Sequence, residues 1–414
     1  MPEDFPPIST AEWEAAILAD LKGADYQKKL TWKSEDGIVV QPYYRSEHLP
    51  PSSVPARASQ TWQVRETLDI PANAINAAQW HEQGATPVQE LAFALLAAAD
   101  KLDAGDTTIE FVYAVGSNYF FEIAKLRAAR LLWQNLTNAF GLPPSPAIIH
   151  ARTALANKSV YDAYTNLLRV TTETLSAAIG GADSITVVPA RFPARLAPNV
   201  QHVIQEEARV DSVPDPARGS YFIESLTDSL ARQAWALFQQ NPPIEETIAA
   251  ARAAKEKAFA QRRQVMVGVN NYADPSESLH GVPADIDGSH WRLAQPIERI
   301  RQRVERHPQP PHILLLKRGE SKLRAAFCRN FFACAGLRIT ESASIDPAAN
   351  LIVLCSTDPE YPAFAAEVLP LAMVPVLIAG NPAEKPPGIA GYVHIQSNHI
   401  DTLNEWLTRL GVAN

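Results

Sequence analysis

Few residues in this chain combine a reactive type with a useful spacing. His81 follows Trp80 near the C-terminal end of a predicted strand, Ala74 to Ala78. Active sites of parallel α/β folds gather at that end, which makes His81 a candidate catalytic residue. The plainer reading, a satisfied histidine at the start of a loop, is the one its isolation favours. His150 lies within another predicted strand and reads as packed. Glu206 and Glu207 are paired carboxylates, but adjacent residues on a helix point apart, so a solvated or capping role fits better than acid/base work. Gly180-Gly181 closes a helix more readily than it cradles a phosphate. Cys328, Cys334 and Cys355 fall in one late segment with no CxxC pair and no zinc spacing, so reduced thiols in a cytoplasmic protein are expected. The sequence has no Walker loop, no GxGxxG after a strand, no HExxH and no GxSxG. Taken alone, these residues leave the function open.

The elements that must position them are organised around Thr107 to Phe140. Ile109 to Val115 is an apolar, β-branched and aromatic run that reads as a buried strand. Gly116-Ser117-Asn118 is a turn, and Ser117 or Asn118 can cap the helix that follows. Phe121, Ala124, Ala128 and Leu131 recur at helical spacing, and Glu122 with Lys125 reads as a supporting pair on the exposed side. Around this unit, helices are predicted at Pro87 to Leu102 and Val160 to Ile179, and strands at Ala147 to Arg152 and Ser184 to Val188. Trp62 to Leu68 is a possible edge strand. Four β/α repeats imply a parallel sheet with helices outside it, half the number that closes an eight-stranded barrel.

Residues 1–60 read as an arm. A helix starting at Thr10, with a Thr-x-x-Trp start that lacks the usual capping glutamate, puts Trp13, Ile17 and Leu21 on one face. Trp32 to Tyr44 reads as extended. From Leu226 the stripe Leu226, Leu230, Ala234 and Leu237 predicts a helix, and Ile244 to Arg263 a second. The interval 274–309 reads as a linker. Residues 310–414 alternate again: strands His312–Leu316, Leu351–Cys355, Val374–Ala379 and Tyr392–Ile395, with helices Lys322–Cys334, Pro362–Leu369 and Ile400–Leu410. This predicts a flavodoxin-like α/β domain. The 414 residues carry a formal charge of −8, which argues against a nucleic-acid surface. No signal-peptide pattern or membrane-spanning run is present, so a cytoplasmic location is expected.

Several long stretches resemble methylmalonyl-CoA mutase: GATPVQELAFAL, AVGSNYFFEIAKLRAARLLW, IQEEARVDSVPDPARGSYFIESLTDSLARQAW and RRQVMVGVN. GGADSITVVP, RLAQPIERIRQRVERH and RNFFACAGLRI are similar to the small, non-catalytic subunit of the heterodimeric enzyme. The resemblance implies a (β/α)8 TIM-type barrel, here incomplete over residues 61–273, joined to a degenerate, flavodoxin-like cobalamin-type domain at 310–414. It implies interconversion of methylmalonyl-CoA and succinyl-CoA by adenosylcobalamin radical chemistry in a partner large subunit. The arm motif LADLKGADYQKKLTWKSEDGI implies wrapping on that partner.

Departures from the family pattern decide the expected role. Where catalytic members carry Asp-x-His-x-x-Gly, with the histidine on cobalt, this chain has Arg318-Gly319-Glu320-Ser321-Lys322-Leu323-Arg324. The glycine-rich stretch for the cofactor's tail is reduced to Ala379-Gly380-Asn381-Pro382. Trp62-Gln63-Val64-Arg65 runs into Glu66-Thr67-Leu68 instead of Gln-Tyr-Ala-Gly, and the segment with the substrate-carboxylate arginine is missing. Thr186 stands where a later-strand histidine is expected. His81 survives at the place of the catalytic Tyr-His pair, with Trp80 replacing the tyrosine. The expectation is a chain that binds neither cobalamin nor a metal. It supports a large subunit, with a homodimer possible. The alternatives are a mutase-derived scaffold or acyl-CoA-binding protein, and a homodimeric isomerase active alone.

Overall fold

A computed structural model describes residues 8–51, 54–279 and 290–412. The expected acidic, Pro-rich start at residues 1–7 and part of the 274–309 interval lie outside the described residues. The arm begins with α1 (Thr10–Asp20) and α2 (Tyr26–Leu30), followed by a hairpin of β1 (Trp32–Lys33) and β2 (Val39–Val40). The cap of α1 differs from the expectation. Ser9 is the N-cap and Glu12 its reciprocal partner, so the capping box is complete one residue earlier than Thr10 suggests. None of the α1 residues is buried, and Trp13 is 47% exposed and Leu18 53%.

A five-stranded parallel sheet follows. Its strands are β3 (Gln63–Val64), β4 (Ile75–Asn76), β5 (Glu110–Val115), β6 (Ile148–Thr153) and β7 (Ser184–Thr186), in the spatial order β3-β7-β6-β5-β4. Four consecutive strands are neighbours, and the last then pairs with the first through Gln63–Ser184 and Val64–Ile185. Only β3 and β4, consecutive in the chain, lie at opposite edges. Residues 65–74 join those edges: Arg65 extends the pairing to the Ile185 carbonyl at 2.9 Å and reaches Glu110 at 2.7 Å, and Asn73 donates to the Thr108 carbonyl at 2.8 Å.

The helices of this part are α3 (Ala78–Glu82), α4 (Pro87–Asp103), α5 (Tyr119–Ala139), α6 (Ala163–Ile179), α7 (Leu196–Glu206), α8 (Tyr221–Gln240) and α9 (Ile244–Ala260). The strand expected over Ala74 to Ala78 is only two residues long, and Ala78–Glu82 is helical. His81 therefore sits on a helix and not at a strand end. Ala-Gln-Trp-His-Glu has no β-branched residue to hold an extended backbone. Glu122 and Lys125 are not an exposed pair. Both are buried, because α4, α6 and α8 pack around α5 and leave that face no route to water. Asn118 is the N-cap of α5, but its side chain makes no capping bond. Phe111, Tyr113, Ile149, Ala151 and Ile185 point into the main core beneath the helices. The alternate residues on β6 and β7 include the buried polar side chains His150, Arg152, Ser184 and Thr186.

The second sheet is also parallel. It contains β8 (His312–Lys317), β9 (Arg338–Ser342), β10 (Leu351–Cys355), β11 (Val376–Ala379) and β12 (Gly391–Val393), ordered β12-β11-β10-β8-β9. β9 has no counterpart among the expected strands, since Arg-Ile-Thr-Glu-Ser is a polar, half-exposed edge. Helices α10 (Gln295–Arg306), α11 (Lys322–Ala333), α12 (Tyr361–Val368) and α13 (His399–Arg409) flank it. Ile313, Leu315 and Val353 face one core, Leu314, Leu316, Ile352 and Leu354 the other. α10 stands inside the interval read as a linker. Its Ile297, Ile300 and Val304 join the second sheet's core, as do Phe259, Met266 and Val269 from the end of the preceding helical segment. Among the described residues no helix is long and apolar enough to cross a membrane.

A buried ion pair ties the two sheets together. Arg292 forks onto Glu298 at 2.7 and 2.8 Å, and the same carboxylate accepts the Val160 N–H at 2.9 Å. Replacing Glu298 by alanine strands the Arg292 guanidinium in the interior, which costs about 3–5 kcal/mol. Urea unfolding of Glu298→Ala is expected to show that loss; a change below about 1 kcal/mol, the range of an exposed pair, contradicts it.

Candidate functional site

The C-terminal ends of β5 and β6 converge with α3 and the start of α5 on a small cavity of about 100 Å³. His81 lines it. Its Nδ1 lies 3.3 Å from Glu90 Oε2, and its other edge faces Gly116, where a Cβ would stand 3.3 Å from both Cε1 and Nε2. Glycine at 116 is what lets the ring lie against the strand end.

Behind His81 is a closed ionic network. Lys125 donates to Glu90 at 2.7 Å and to the Ala114 carbonyl at 2.6 Å, and forms an ion pair with Glu122 at 2.6 Å. The second oxygen of Glu90 accepts the Ala114 N–H at 3.0 Å. Burial pushes the Glu90 carboxyl up, but the Lys125 ammonium and the His81 ring outweigh it, and the pKa lies below the ordinary value. Burial likewise pulls Lys125 down, and the Glu122 and Glu90 carboxylates more than restore it. Glu90 and Lys125 are therefore both held in their charged forms. Glu82, next to His81 on α3, accepts the Leu155 and Ala156 N–H groups at 2.8 and 2.7 Å and pins the loop after β6.

The arm closes the cavity from above. Ser34, Glu35 and Asp36, from the turn between β1 and β2, line its mouth. Glu35 pairs with Lys255 of α9 at 3.3 Å, and Trp32 packs edge-on against Phe121. The Asp36 carboxyl lies over the start of α4, and its Oδ2 is buried without a hydrogen-bond partner. Burial raises its pKa to about 6, against the opposing pull of Thr86 and the Val88 amide, while neighbouring Glu35 adds to the rise and Lys255 opposes it.

The remaining sequence candidates do not meet here. His150 is buried on β6 with Nδ1 2.8 Å from Ser184 Oγ, and burial, with Arg65 and Arg152 nearby, holds its pKa down at about 3. Gly180 caps α6, and Gly181 takes the positive φ that ends it. Glu206 and Glu207 sit exposed at the end of α7. The three cysteines are buried and free. Among the described residues no three His, Cys, Asp or Glu side chains cluster as metal ligands. Sequence reasoning missed Glu90 and Asp36. The available signal for Glu90 was a lone carboxylate inside the apolar run Val88 to Leu95; Asp36 lies in a polar turn and gave none.

A parallel α/β scaffold with its candidate site at the strand ends defines the class. The methylmalonyl-CoA mutase family model matches residues 48–321, and the chain belongs to that family. The chain is 33% identical over 611 aligned positions to the methylmalonyl-CoA mutase small subunit of Porphyromonas gingivalis, covering 99% of this chain and 98% of that protein. About a third of those positions have no counterpart in a chain of 414 residues. It is 30% identical to the probable small subunit of Mycobacterium bovis over 83% of this chain and 64% of that one. The methylmalonyl-CoA mutase of Cereibacter sphaeroides is 35% identical over 56% of this chain and 38% of that one.

Two outcomes follow from the geometry. Lys125→Met leaves Glu90 and Glu122 buried without their cation, which is expected to cost about 3–5 kcal/mol in urea unfolding; a loss near zero means the network does not hold the core. Asp36 binds its proton more tightly folded than unfolded, so its contribution is full below about pH 3.8 and falls as pH rises to about 6. Asp36→Asn removes that loss. The variant should gain on the parent between pH 4 and 6.5, by on the order of 2 kcal/mol, with a constant difference above that range. A pH-independent difference between the two unfolding series contradicts the assignment.

Proposed function

We propose that this chain is the small, non-catalytic subunit of a heteromeric methylmalonyl-CoA mutase, and that it acts by supporting a catalytic large subunit that carries the adenosylcobalamin. The carrying observation is the cavity at the first sheet's strand ends. Sites for organic ligands enclose about 300–1,000 Å³; the cavity of about 100 Å³ at His81 falls below that range. In this reading His81 is a relic, held by Glu90 as part of the packing.

The finer architecture we read as an arm at residues 1–60, a partial (β/α)8 barrel at 61–273, a joining segment at 274–309 and a flavodoxin-like, cobalamin-type domain at 310–414. A barrel's last strand pairs with its first, as β7 does with β3. The order β9-β8-β10-β11-β12 has the 2-1-3-4-5 pattern of flavodoxin-like sheets. The missing strands would then fall between Val64 and Ile75, and the unmatched third of the Porphyromonas alignment is long enough to hold them.

The mutase family depends on cobalamin, and the residues of this chain do not fit it. The turn after β8 offers no imidazole. At the switch point between β8 and β10, the Glu360 carboxylate accepts the Ser356 and Thr357 hydroxyls and approaches Gly319. A Cβ at Gly380 would meet Arg324 Nη1 at 2.7 Å, so that guanidinium fills the space above the reduced glycine stretch. The unburied apolar side chains of α1 support a partner-facing arm. The buried reduced thiols suit a cytoplasmic location.

Co-expression with a catalytic large subunit, followed by light scattering, tests the reading. A stable heteromer is expected. Removing residues 1–45 should weaken it, with the second sheet's body still folded. A visible-absorption titration of the isolated chain with hydroxocobalamin should give no stoichiometric histidine-ligated spectrum. A monomer that ignores the large subunit favours a scaffold or acyl-CoA-binding protein. Mutase turnover by a homodimer of this chain alone overturns the non-catalytic assignment.

A further inference from the structure

The tip of the arm's hairpin is a wall between two hollows. Ser34, Glu35 and Asp36, with Lys255 and Gln264, line both the cavity of about 100 Å³ that holds His81 and a cleft of about 520 Å³ between the hairpin and helices α4, α8 and α9. The base of the hairpin is anchored, since Trp32 packs on Phe121 and Ile38 joins the main core. The tip is held less firmly. β1 and β2 pair over only two residues, and Ser34 closes the turn on itself: its N–H donates to the Ile38 carbonyl at 2.9 Å, and its hydroxyl accepts the Ile38 N–H at 3.0 Å. The tip meets the body through the Glu35–Lys255 pair at 3.3 Å and through the Asp36 carboxyl over the start of α4.

The second of these contacts depends on a proton. Asp36 Oδ2 is enclosed without a hydrogen-bond partner, so a neutral carboxyl fits there and a charged one is costly. The groups around the tip do not offset that cost. Glu35, the adjacent residue, repels a second carboxylate. Lys255 is shared between Glu35 and the Ala85 carbonyl, to which it donates at 2.9 Å. Lys33 on β1 is exposed. Beneath the tip stand His81 of α3 and Glu122 of α5, the latter paired with Lys125. α4 offers the Thr86 hydroxyl and the Val88 amide, while its Glu90 faces His81 and Lys125. Burial is the largest influence on Asp36, ahead of Thr86, Glu35, Val88 and Lys255, and it holds the proton on up to about pH 6.

We propose that the β1–β2 hairpin is a proton-operated latch: with the Asp36 carboxyl protonated its tip stays seated on α4 and closes the His81 cavity, and with the carboxyl ionised the tip lifts and opens that cavity to the neighbouring cleft. In the lifted tip the carboxyl is solvated and returns to its ordinary value of 3.8, so the seated form binds the proton more tightly. Seating is therefore strongest below pH 3.8 and weakens as pH rises to about 6, by about fiftyfold between pH 4 and 7. The latch belongs to this chain alone and does not rest on the subunit reading.

Modification of His81 by diethyl pyrocarbonate, read by mass spectrometry of the full-length chain between pH 5 and 7.5, tests the latch. Asp36→Asn keeps the shape of the protonated carboxyl and is measured beside the parent at every pH, so the protonation of His81 itself cancels in the ratio of rates. That ratio, parent over variant, is expected to rise about tenfold from pH 5 to 7.5 and to level off near pH 7. Hydrogen exchange at the Val88 amide, which faces Asp36 in the seated tip, should accelerate in the parent over the same range and stay flat in the variant once the intrinsic rate is divided out. Lys255→Met gives the reading should the asparagine variant fail to fold. Without that cation Asp36 keeps its proton to higher pH, and the rise in Val88 exchange should move up the pH scale. A ratio constant with pH, a Val88 amide that does not respond, or an unshifted rise in the lysine variant overturns the proposal.

Discussion

The first half of the molecule depends on one lysine. Lys125 lies fully buried on α5, and the two carboxylates it neutralises come from α4 and from its own helix, while it also donates to the end of β5. Stripping water from three charges costs several kcal/mol each, and the attraction repays this only when every proton and lone pair is engaged. Here both Glu90 oxygens are engaged, by Lys125 and by the Ala114 N–H, while Glu122 is held to the lysine as an ion pair without a directed hydrogen bond. The network fixes the separation of α4, α5 and β5 together. A shift of any one of them would leave a buried charge uncompensated, so His81 and Gly116, which rest on Glu90 and on the strand end, inherit positions set by that lysine.

This dependence explains what remains fixed when a barrel-like sheet is left open. The sheet's edges are two-residue strands, and two-residue strands contribute little by their own ladders. Residues 65–74 bridge them, with Arg65 reaching Glu110 across the polar face and Asn73 holding the segment before β5. The short edges also offer little template for pairing with other chains. Stability is concentrated at the centre, where β5 and β6 pair over six residues and α5 is buried continuously from Phe121 to Arg130.

The sequence made much of this legible, and the failures have physical causes. Strand-and-helix alternation was plain in both halves, because hydrophobic period reports which face is buried. The second sheet was readable to within a residue or two at Leu351–Cys355 and His399–Arg409, where an apolar run or stripe meets one core. β9 was invisible because an edge strand need not be apolar. Glu122 and Lys125 were misread because the i, i+3 spacing of a surface pair is also that of a buried one. What separates the two is the packing of α4 and the end of β5 against that face, which the spacing alone does not report. His81 was placed just past a strand because Ala74 to Ala78 is a short apolar run, and its last residue instead opens the five-residue helix that carries His81. Asp36 was not legible at all, since its burial comes from docking a polar turn on α4.

The charges in the two halves sort differently. In the first half, and where the two sheets meet, the buried charges brace packing: Glu82 on the loop after β6, Glu90 and Glu122 on Lys125, Glu298 on Arg292. None can be neutralised without leaving a partner stranded. At the strand ends of the second sheet the charges are exposed pairs such as Arg318–Glu367 and Arg324–Asp358, which cost little to gain or to exchange. Exposed pairs of this kind exchange at little cost, and the turn Arg318–Arg324 carries two of them. Residues that brace the sheet cannot drift, because each substitution exposes a buried charge. Glu360 and Arg324 fill the crevice at the ends of β8 and β10 with side chains paired to their own neighbours.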